Sequence, residues 1–144
     1  MVEHIDNDIE FLASIFKALK PGGNFYCTVP AYNFLWSQED INAGHYRRYS
    51  LKEFKAKMNQ VGFEVTYASY FFSVLIFPIF IFRSLPSKFG LSKKVTTQTS
   101  AKDHDQSGFI SKMMQFCWNW ELKRIQRLGR IPFGSSCLIV AKKI

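Results

Sequence analysis

The chain places one histidine and two arginines among aromatic residues, in the segment Gly44-His45-Tyr46-Arg47-Arg48-Tyr49. Guanidinium groups bind carboxylates and phosphates through paired, charge-assisted hydrogen bonds, and a neutral imidazole accepts a proton near neutral pH. The segment therefore predicts a site in which Arg47 and Arg48 bind an anionic substrate and His45 is the catalytic base. The alternative is that both arginines pair with nearby carboxylates and only fix the loop. These carboxylates are Glu39, Asp40 and Glu53.

Aromatic side chains surround this segment in the sequence. Rings with a polar group, such as those of Tyr and Trp, can form the wall of a binding pocket or pack in a core. Four of them are therefore candidate substrate-binding residues, with ordinary core packing as the alternative: Tyr32, Trp36, Tyr46 and Tyr49.

The sequence predicts no metal site. Asp103-His104-Asp105 has side chains of the right type, but adjacent residues in a polar stretch make a poor cage without further ligands. The three cysteines are far apart in the sequence, so they indicate neither a zinc site nor a disulfide framework. We therefore expect a reducing, cytoplasmic location, with Cys117 and Cys137 as packing thiols.

These residues must be positioned by an α/β fold. Asp6-Asn7-Asp8 opens a helix whose apolar residues recur at helical spacing, and Lys20-Pro21-Gly22-Gly23 ends it. A strand follows at 24–29, which we expect to be covered on both faces. Ser50-Leu51-Lys52-Glu53 is a capping box at the start of a second helix, which ends at Gly62. Further strands are predicted at 63–67 and 136–142.

The segment between the last two strands departs from this alternation of helices and strands. Residues 70–82 are nearly all apolar, but this run is too short to span a bilayer. We expect a buried helix or lid there, or alternatively contact with a membrane surface. Residues 84–107 are predicted to be a loop, and 108–128 a helix whose broad apolar face packs on the core.

The net charge of +8 is concentrated in this segment of the 144-residue chain. Residues 1–82 carry 7 basic and 8 acidic side chains, whereas 83–130 carry 10 and 3. An excess of cations beside an apolar run is typical of contact with a membrane surface or another anionic partner. The stretch contains no recognisable nucleic-acid-binding motif, so nucleic acid is not the expected partner.

Several motifs occur together in one order. They are Val2-Glu3-His4-Ile5, Leu19-Lys20-Pro21-Gly22-Gly23, Val29-Pro30, Gly44-His45-Tyr46-Arg47-Arg48-Tyr49-Ser50 and Gly62-Phe63. In this order they resemble the C-terminal half of class I S-adenosylmethionine-dependent methyltransferases, including those of types 11 and 12. The resemblance covers 1–70 closely and the last strand loosely, and 71–132 is read as a variable insertion.

The resemblance implies a partial Rossmann-like sheet. Its three strands would correspond to the fifth, sixth and seventh of the family, with the last one antiparallel. The glycine-rich loop and the ribose-binding acid of the family would lie upstream of Met1. Gly22-Gly23 lies between a helix and a strand, which is the wrong order for a phosphate-type loop. We therefore expect a fragment of a longer enzyme, with a separately encoded half or a truncated relic as alternatives.

The resemblance also assigns roles. It implies S-adenosylmethionine as the cofactor and places Glu3 and His4 at the boundary between cofactor and acceptor. His4 would line the pocket or act as a base, with helix capping or core packing as the alternative. The expected function is methyl transfer to a small-molecule, lipid-linked or glycan-linked acceptor, with the missing N-terminal half as a covalent or separate partner. The alternative is a non-catalytic module that binds a membrane surface or lipid-linked substrate, with peripheral contact through 70–83.

Overall fold

The computed structural model describes residues 1–90 and 107–144. Its helices are α1 (Asp8–Ala18), α2 (Gln38–Asn42), α3 (Leu51–Val61), α4 (Ile76–Ile79), α5 (Leu85–Lys88) and α6 (Ser107–Gln126). Its strands are β1 (Asn24–Pro30), β2 (Phe63–Phe71) and β3 (Ser136–Lys143). Short 3₁₀ turns occupy Val2–His4, Asn33–Leu35 and Ser73–Leu75. The Asp103-His104-Asp105 sequence lies outside the described residues.

The three strands form one sheet in the order β1-β3-β2. Both outer strands run antiparallel to β3, so β1 and β2 are parallel to each other. A helix-containing connection is required between parallel strands, and α3 lies in that connection. This arrangement confirms an α/β fold with an antiparallel last strand. That strand lies in the centre of the described sheet, which its apolar sequence Cys-Leu-Ile-Val-Ala favours.

The local signals at helix ends act as the sequence predicts. The Asn7 side chain accepts a hydrogen bond from the Glu10 backbone at the start of α1. The capping box at Ser50 and Glu53 is formed at the start of α3. Gly62 ends α3 with a φ of 108°, in the left-handed region that only glycine adopts at low cost.

The hydrophobic core lies between the two long N-terminal helices and one face of the sheet. Leu12 of α1 and Phe54 and Met58 of α3 are fully buried, as are Ile139 and Ala141 of β3. The expectation that β1 is covered on both faces is wrong. Its residues alternate between buried and exposed, because the helices of the core cover only one face of this strand.

The apolar run at 70–82 is divided between two elements. Strand β2 extends to Phe71, and a helical segment then continues from the Ser73–Leu75 turn through α4 and a π-helical turn to α5. The predicted loop is therefore wrong for 85–88, which are helical. Phe77, Ile81 and Phe82 are exposed, so the run is not a wholly buried helix. No helix among the described residues is long and apolar enough to cross a membrane.

Gly134 allows two segments of backbone to approach each other. A Cβ atom at this position would lie 2.2 Å from the backbone oxygen and 2.6 Å from the backbone nitrogen of Phe71. We expect Gly134→Ala to lower the free energy of unfolding by about 2–3 kcal/mol, because backbone cannot move aside as a flexible side chain can. Urea denaturation measures this change.

Gly44→Ala is the matched control. Gly44 has a φ of +72° but open space around it. We expect this substitution to cost only the left-handed backbone strain of about 1–2 kcal/mol. A Gly134→Ala variant as stable as wild type would contradict the close approach at Phe71.

Candidate functional site

Two histidines that are 41 positions apart in the sequence meet in the folded chain. His4 ends the first 3₁₀ turn, and His45 follows α2. Their ring centroids lie 4.7 Å apart in an edge-to-face arrangement. The backbone nitrogen of Tyr46 donates to the carbonyl oxygen of Glu3 at 2.7 Å, which joins the two segments. Both predicted catalytic histidines and Glu3 therefore lie in one place.

Asp40 determines the orientation of His45. The His45 Nδ1 atom lies 2.8 Å from Asp40 Oδ1, and the carboxylate is 2% exposed. A charged Asp40 favours the tautomer in which Nδ1 carries the proton and donates it, so that Nε2 of a neutral ring is left as an acceptor. The basic Nε2 atom thus belongs to a ring whose other nitrogen is bound to a buried carboxylate. General-base catalysis uses such a pairing.

Asp40 also binds Arg48 through two parallel contacts. Arg48 Nε lies 2.9 Å from Oδ1, and Arg48 Nη2 lies 3.0 Å from Oδ2. A third nitrogen, Nη1, donates to the carbonyl oxygen of Ala31 at 3.2 Å. The prediction that Arg48 binds an anionic substrate is therefore not supported by the geometry. The alternative of a loop-fixing pair with Asp40 is the one that the structure contains.

The ionisation of Asp40 follows from these contacts. Burial by itself would raise the pKa of the Asp40 carboxyl. The hydrogen bonds from Arg48 and His45, and the positive charge of Arg48, outweigh burial and hold the pKa below its ordinary value. Asp40 is therefore a carboxylate at neutral pH, able to hold both Arg48 and His45.

Arg47 and Tyr49 are joined to a second buried carboxylate, that of Asp8. Arg47 Nη1 lies 3.2 Å from Asp8 Oδ2, and the Tyr49 hydroxyl donates to the same oxygen at 2.8 Å. Lys57 Nζ donates to Oδ1 at 2.7 Å. Because Tyr49 is 2% exposed, it packs in the core and does not line an open pocket, contrary to the prediction for this residue.

The remaining predicted aromatic residues lie around the loop with different exposures. Tyr32 stacks on Tyr70 at 4.9 Å and on Phe34 at 5.2 Å between ring centroids. Trp36 is half-buried, whereas the Tyr46 ring is exposed. Tyr32, Trp36 and Tyr46 thus stay candidates for contact with a bound molecule.

Glu3 provides the third side chain at the histidine pair. One ligand atom each from Glu3, His4 and His45 lies within 4.8 Å of the other two. The Glu3 Oε2 atom is buried and has no hydrogen-bond partner among the described residues, although an unsatisfied buried oxygen is costly. These atoms could face a bound molecule or hold a divalent cation. The sequence alone did not show this triangle, since its members come from two distant segments.

Two carboxylates that organise the site were not selected from the sequence. Asp40 was named only as one of several partners, yet the Ser37-x-x-Asp40 spacing is that of a capping box, which α2 forms. Asp8 was assigned to a helix start, and its buried contacts with Tyr49 and Lys57 arise only in the folded chain. Of the two thiols predicted to pack, Cys137 is buried, and burial raises its pKa to about 12, whereas Cys117 is only partly buried.

Asp8→Asn is expected to lower the free energy of unfolding at neutral pH by about 2 kcal/mol, because the substitution leaves the buried ends of three donors without a charged acceptor. Burial would raise the pKa of Asp8, but its contacts with Lys57, Tyr49 and Arg47 hold it below the ordinary value. The stabilisation is therefore present above the unfolded pKa of about 3.9 and is lost as pH falls through the folded pKa.

Chemical denaturation of wild type and variant from neutral to acidic pH tests this. The two curves should converge below about pH 4. Asp6→Asn is the matched control, because Asp6 also contacts Arg47 but is 80% exposed, and exposed pairs contribute little. A difference that persists unchanged in acid would contradict the role of the Asp8 charge.

Comparison with known proteins finds a family match for the first part of the chain. Residues 1–68 match the family model described as a methyltransferase domain. No curated protein matches the chain. A solved structure of an S-adenosylmethionine-dependent methyltransferase from Archaeoglobus fulgidus is similar, at 19% identity and a TM-score of 0.49. The alignment covers 99% of this chain and 56% of that one.

A second similar structure is phosphoethanolamine N-methyltransferase 2 from Haemonchus contortus in complex with S-adenosyl-L-methionine. It is 16% identical, with a TM-score of 0.49, and the alignment covers 99% of this chain and 31% of that one. The chain therefore spans less than two thirds of the length of either structure. Over residues 1–68, the match to a methyltransferase domain agrees with the family predicted from the sequence motifs.

Proposed function

We propose that this chain is the acceptor-side part of an S-adenosylmethionine-dependent methyltransferase. The observation that carries the proposal is the meeting of Glu3, His4 and His45, with His45 held by the buried Asp40 carboxylate. These residues belong to the segment that matches the methyltransferase domain. Methyl transfer requires the acceptor to be positioned and, for many acceptors, a proton to be removed. His45 Nε2 would receive that proton.

The fit of the cofactor to these residues is partial. Glu3 and His4 offer a buried oxygen and an imidazole to one side of a bound molecule. The described glycines do not form a cradle for the cofactor. The backbone nitrogens of Gly22 and Gly23 donate instead to the carbonyl oxygens of Lys143 and Lys20. S-adenosylmethionine would supply the methyl group, and its main contacts would come from a part of the enzyme outside this chain.

The sheet supports the fragment interpretation. Strand β1 pairs only with β3 among the described residues, so its other edge presents unpaired backbone groups. Tyr26 is exposed on this strand. An open strand edge is a place where further strands can add. In the complete enzyme, we propose, the strands of the cofactor-binding half continue the sheet at β1.

The test is to sequence the DNA upstream of Met1 and to express the longer chain it encodes. That chain should contain a strand followed by a glycine-rich loop and should bind S-adenosylmethionine in a calorimetric titration. The 144-residue chain, as the matched control, should bind it much more weakly. An upstream stop codon with no such sequence nearby would overturn the fragment interpretation. A longer chain that fails to bind S-adenosylmethionine would overturn the proposed methyltransferase function.

A further inference from the structure

The outer face of α6 combines aromatic and cationic side chains. Met113, Phe116, Trp120, Arg124 and Arg127 follow one another at intervals of three or four residues, so they share one side of the helix and its C-terminal turn. Phe116 is 73% exposed and Trp120 is 51% exposed. The expectation that the broad apolar face of this helix packs on the core is therefore wrong for this side.

The opposite side of α6 fixes the helix to the body of the protein. The Glu121 carboxylate, which is 3% exposed, accepts hydrogen bonds from the backbone nitrogens of Phe72 and Ser73 at 2.7 and 2.8 Å and from the Ser73 hydroxyl. These nitrogens begin a helical segment and would otherwise lack partners. Trp118 packs edge-on against Phe72 at 5.8 Å. These contacts determine that the aromatic and cationic face points away from the body.

A cleft at the C-terminal end of this face lies among cationic residues. It has a volume of about 330 Å³ and is lined by Trp120, Lys123, Arg124, Arg127 and Gly129. Arg124 lies over the Trp120 ring at 5.6 Å. Within the described part of the chain, none of these three cations has a carboxylate within 4.0 Å. Among the described residues, therefore, no carboxylate neutralises their charge.

The position of α6 separates this face from the edge at which further strands would add. Helix α6 is attached just beyond the end of β2, and β2 and β1 are the two outer strands of the sheet. A second exposed apolar group lies on the preceding helical segment, at Phe77, Ile81 and Phe82. The surface around the insertion is therefore both apolar and cationic, independently of the open edge at β1.

We propose that the outer face of α6 docks on a membrane surface rich in anionic phospholipid. Phe116 and Trp120 would enter the interface between headgroups and acyl chains, where aromatic residues are favoured. Lys123, Arg124 and Arg127 would bind lipid phosphates, one of them in the cleft beside Trp120. The segment first expected to make this contact was 70–83. To this segment we add α6 and its C-terminal turn, where Lys123, Arg124 and Arg127 have no carboxylate within 4.0 Å among the described residues.

Co-sedimentation of the 144-residue chain with lipid vesicles tests the proposal without any methyl donor. The chain should bind vesicles of phosphatidylglycerol and phosphatidylcholine, release them as salt is raised, and bind pure phosphatidylcholine weakly. The triple variant Lys123→Gln, Arg124→Gln, Arg127→Gln should lose affinity by a factor on the order of 100, since each cation near an anionic surface contributes about a fivefold gain. Trp120→Ser should also weaken binding.

The matched control removes the same charge elsewhere. Lys17, Lys20 and Lys52 are exposed on or next to α1 and α3, and their triple glutamine variant should bind anionic vesicles nearly as well as wild type. Circular dichroism checks that each variant is folded. Equal losses of vesicle affinity in both triple variants would overturn the proposed docking face. So would a wild-type chain that does not bind anionic vesicles, or that binds only DNA duplexes. None of these results depends on whether the complete enzyme transfers methyl groups.

Discussion

His45→Gln, in the complete methyltransferase that we propose, is expected to lower kcat by a factor of about 10² to 10⁴, the usual contribution of a positioned general base. Glutamine can still donate a hydrogen bond to Asp40, so the loop should keep its conformation. It has no basic nitrogen for the acceptor's proton. Because the substitution removes a group that acts during the reaction, the KM for the acceptor should change much less than kcat. Steady-state kinetics with a methylated-product assay measures both.

His4→Gln is the companion variant. Its ring packs edge-on against that of His45. Its Nε2 atom lies 3.6 Å from the Glu3 carboxylate, a longer contact than the 2.8 Å one between His45 and Asp40. We expect a smaller loss of kcat than for His45→Gln. Equal activity of His45→Gln and wild type would contradict the role of His45 as base. If a chelator abolished the activity of the wild-type enzyme, Glu3, His4 and His45 would instead be assigned to a cation.

Asp40→Ala is expected to lower the free energy of unfolding by about 3–5 kcal/mol, the range found when one partner of a buried ion pair is removed. The substitution leaves the Arg48 guanidinium, 11% exposed, without its carboxylate. It also removes the acceptor of the Ser37 backbone nitrogen at 2.9 Å and the partner of His45. Guanidinium chloride denaturation measures the change, which would be a large part of the stability of a small protein.

Glu39→Ala provides the control at the neighbouring position. Glu39 forms a 2.6 Å ion pair with Arg83, but about half of each side chain is exposed. Exposed pairs contribute about 0–1 kcal/mol, so the loss should be several times smaller than for Asp40→Ala. If the two variants had the same stability, Asp40 would not be the residue that organises the loop from Ala31 to Tyr49.

The bounds of α3 and β3 follow from contacts between neighbours in the chain, so the sequence was sufficient to predict them. The Ser50 and Glu53 side chains satisfy backbone groups within one turn, and Gly62 ends the same helix because its backbone adopts a positive φ. The continuous apolar run of 136–142, which ends in charge, likewise identified a strand within one residue of its observed end. Such signals involve neighbours in the chain and need no information about the rest of the fold.

The site required the tertiary structure. The sequence selected Glu3, His4 and His45, but it could not show that they meet. Two helices, a strand and the loops between them separate residues 4 and 45 in the chain. It left open whether Arg48 binds a substrate or a carboxylate. The fold decides this by burying Asp40, because a buried carboxylate without a cation would be costly and Arg48 is close enough to provide one.

Helix α6 shows most clearly which features follow from the sequence and which depend on the tertiary structure. Its periodicity predicts a helix and places Trp118 and Ile125 on one side, and both statements hold. The sequence alone could not determine which side faces the body, because apolar residues occur on both. Glu121 decides it: its carboxylate is stabilised by the backbone N–H groups at Phe72 and Ser73, and this contact leaves Phe116, Trp120 and the neighbouring cations exposed. Short-range chemistry thus determined the helix, and a hydrogen bond across 49 residues determined its surface.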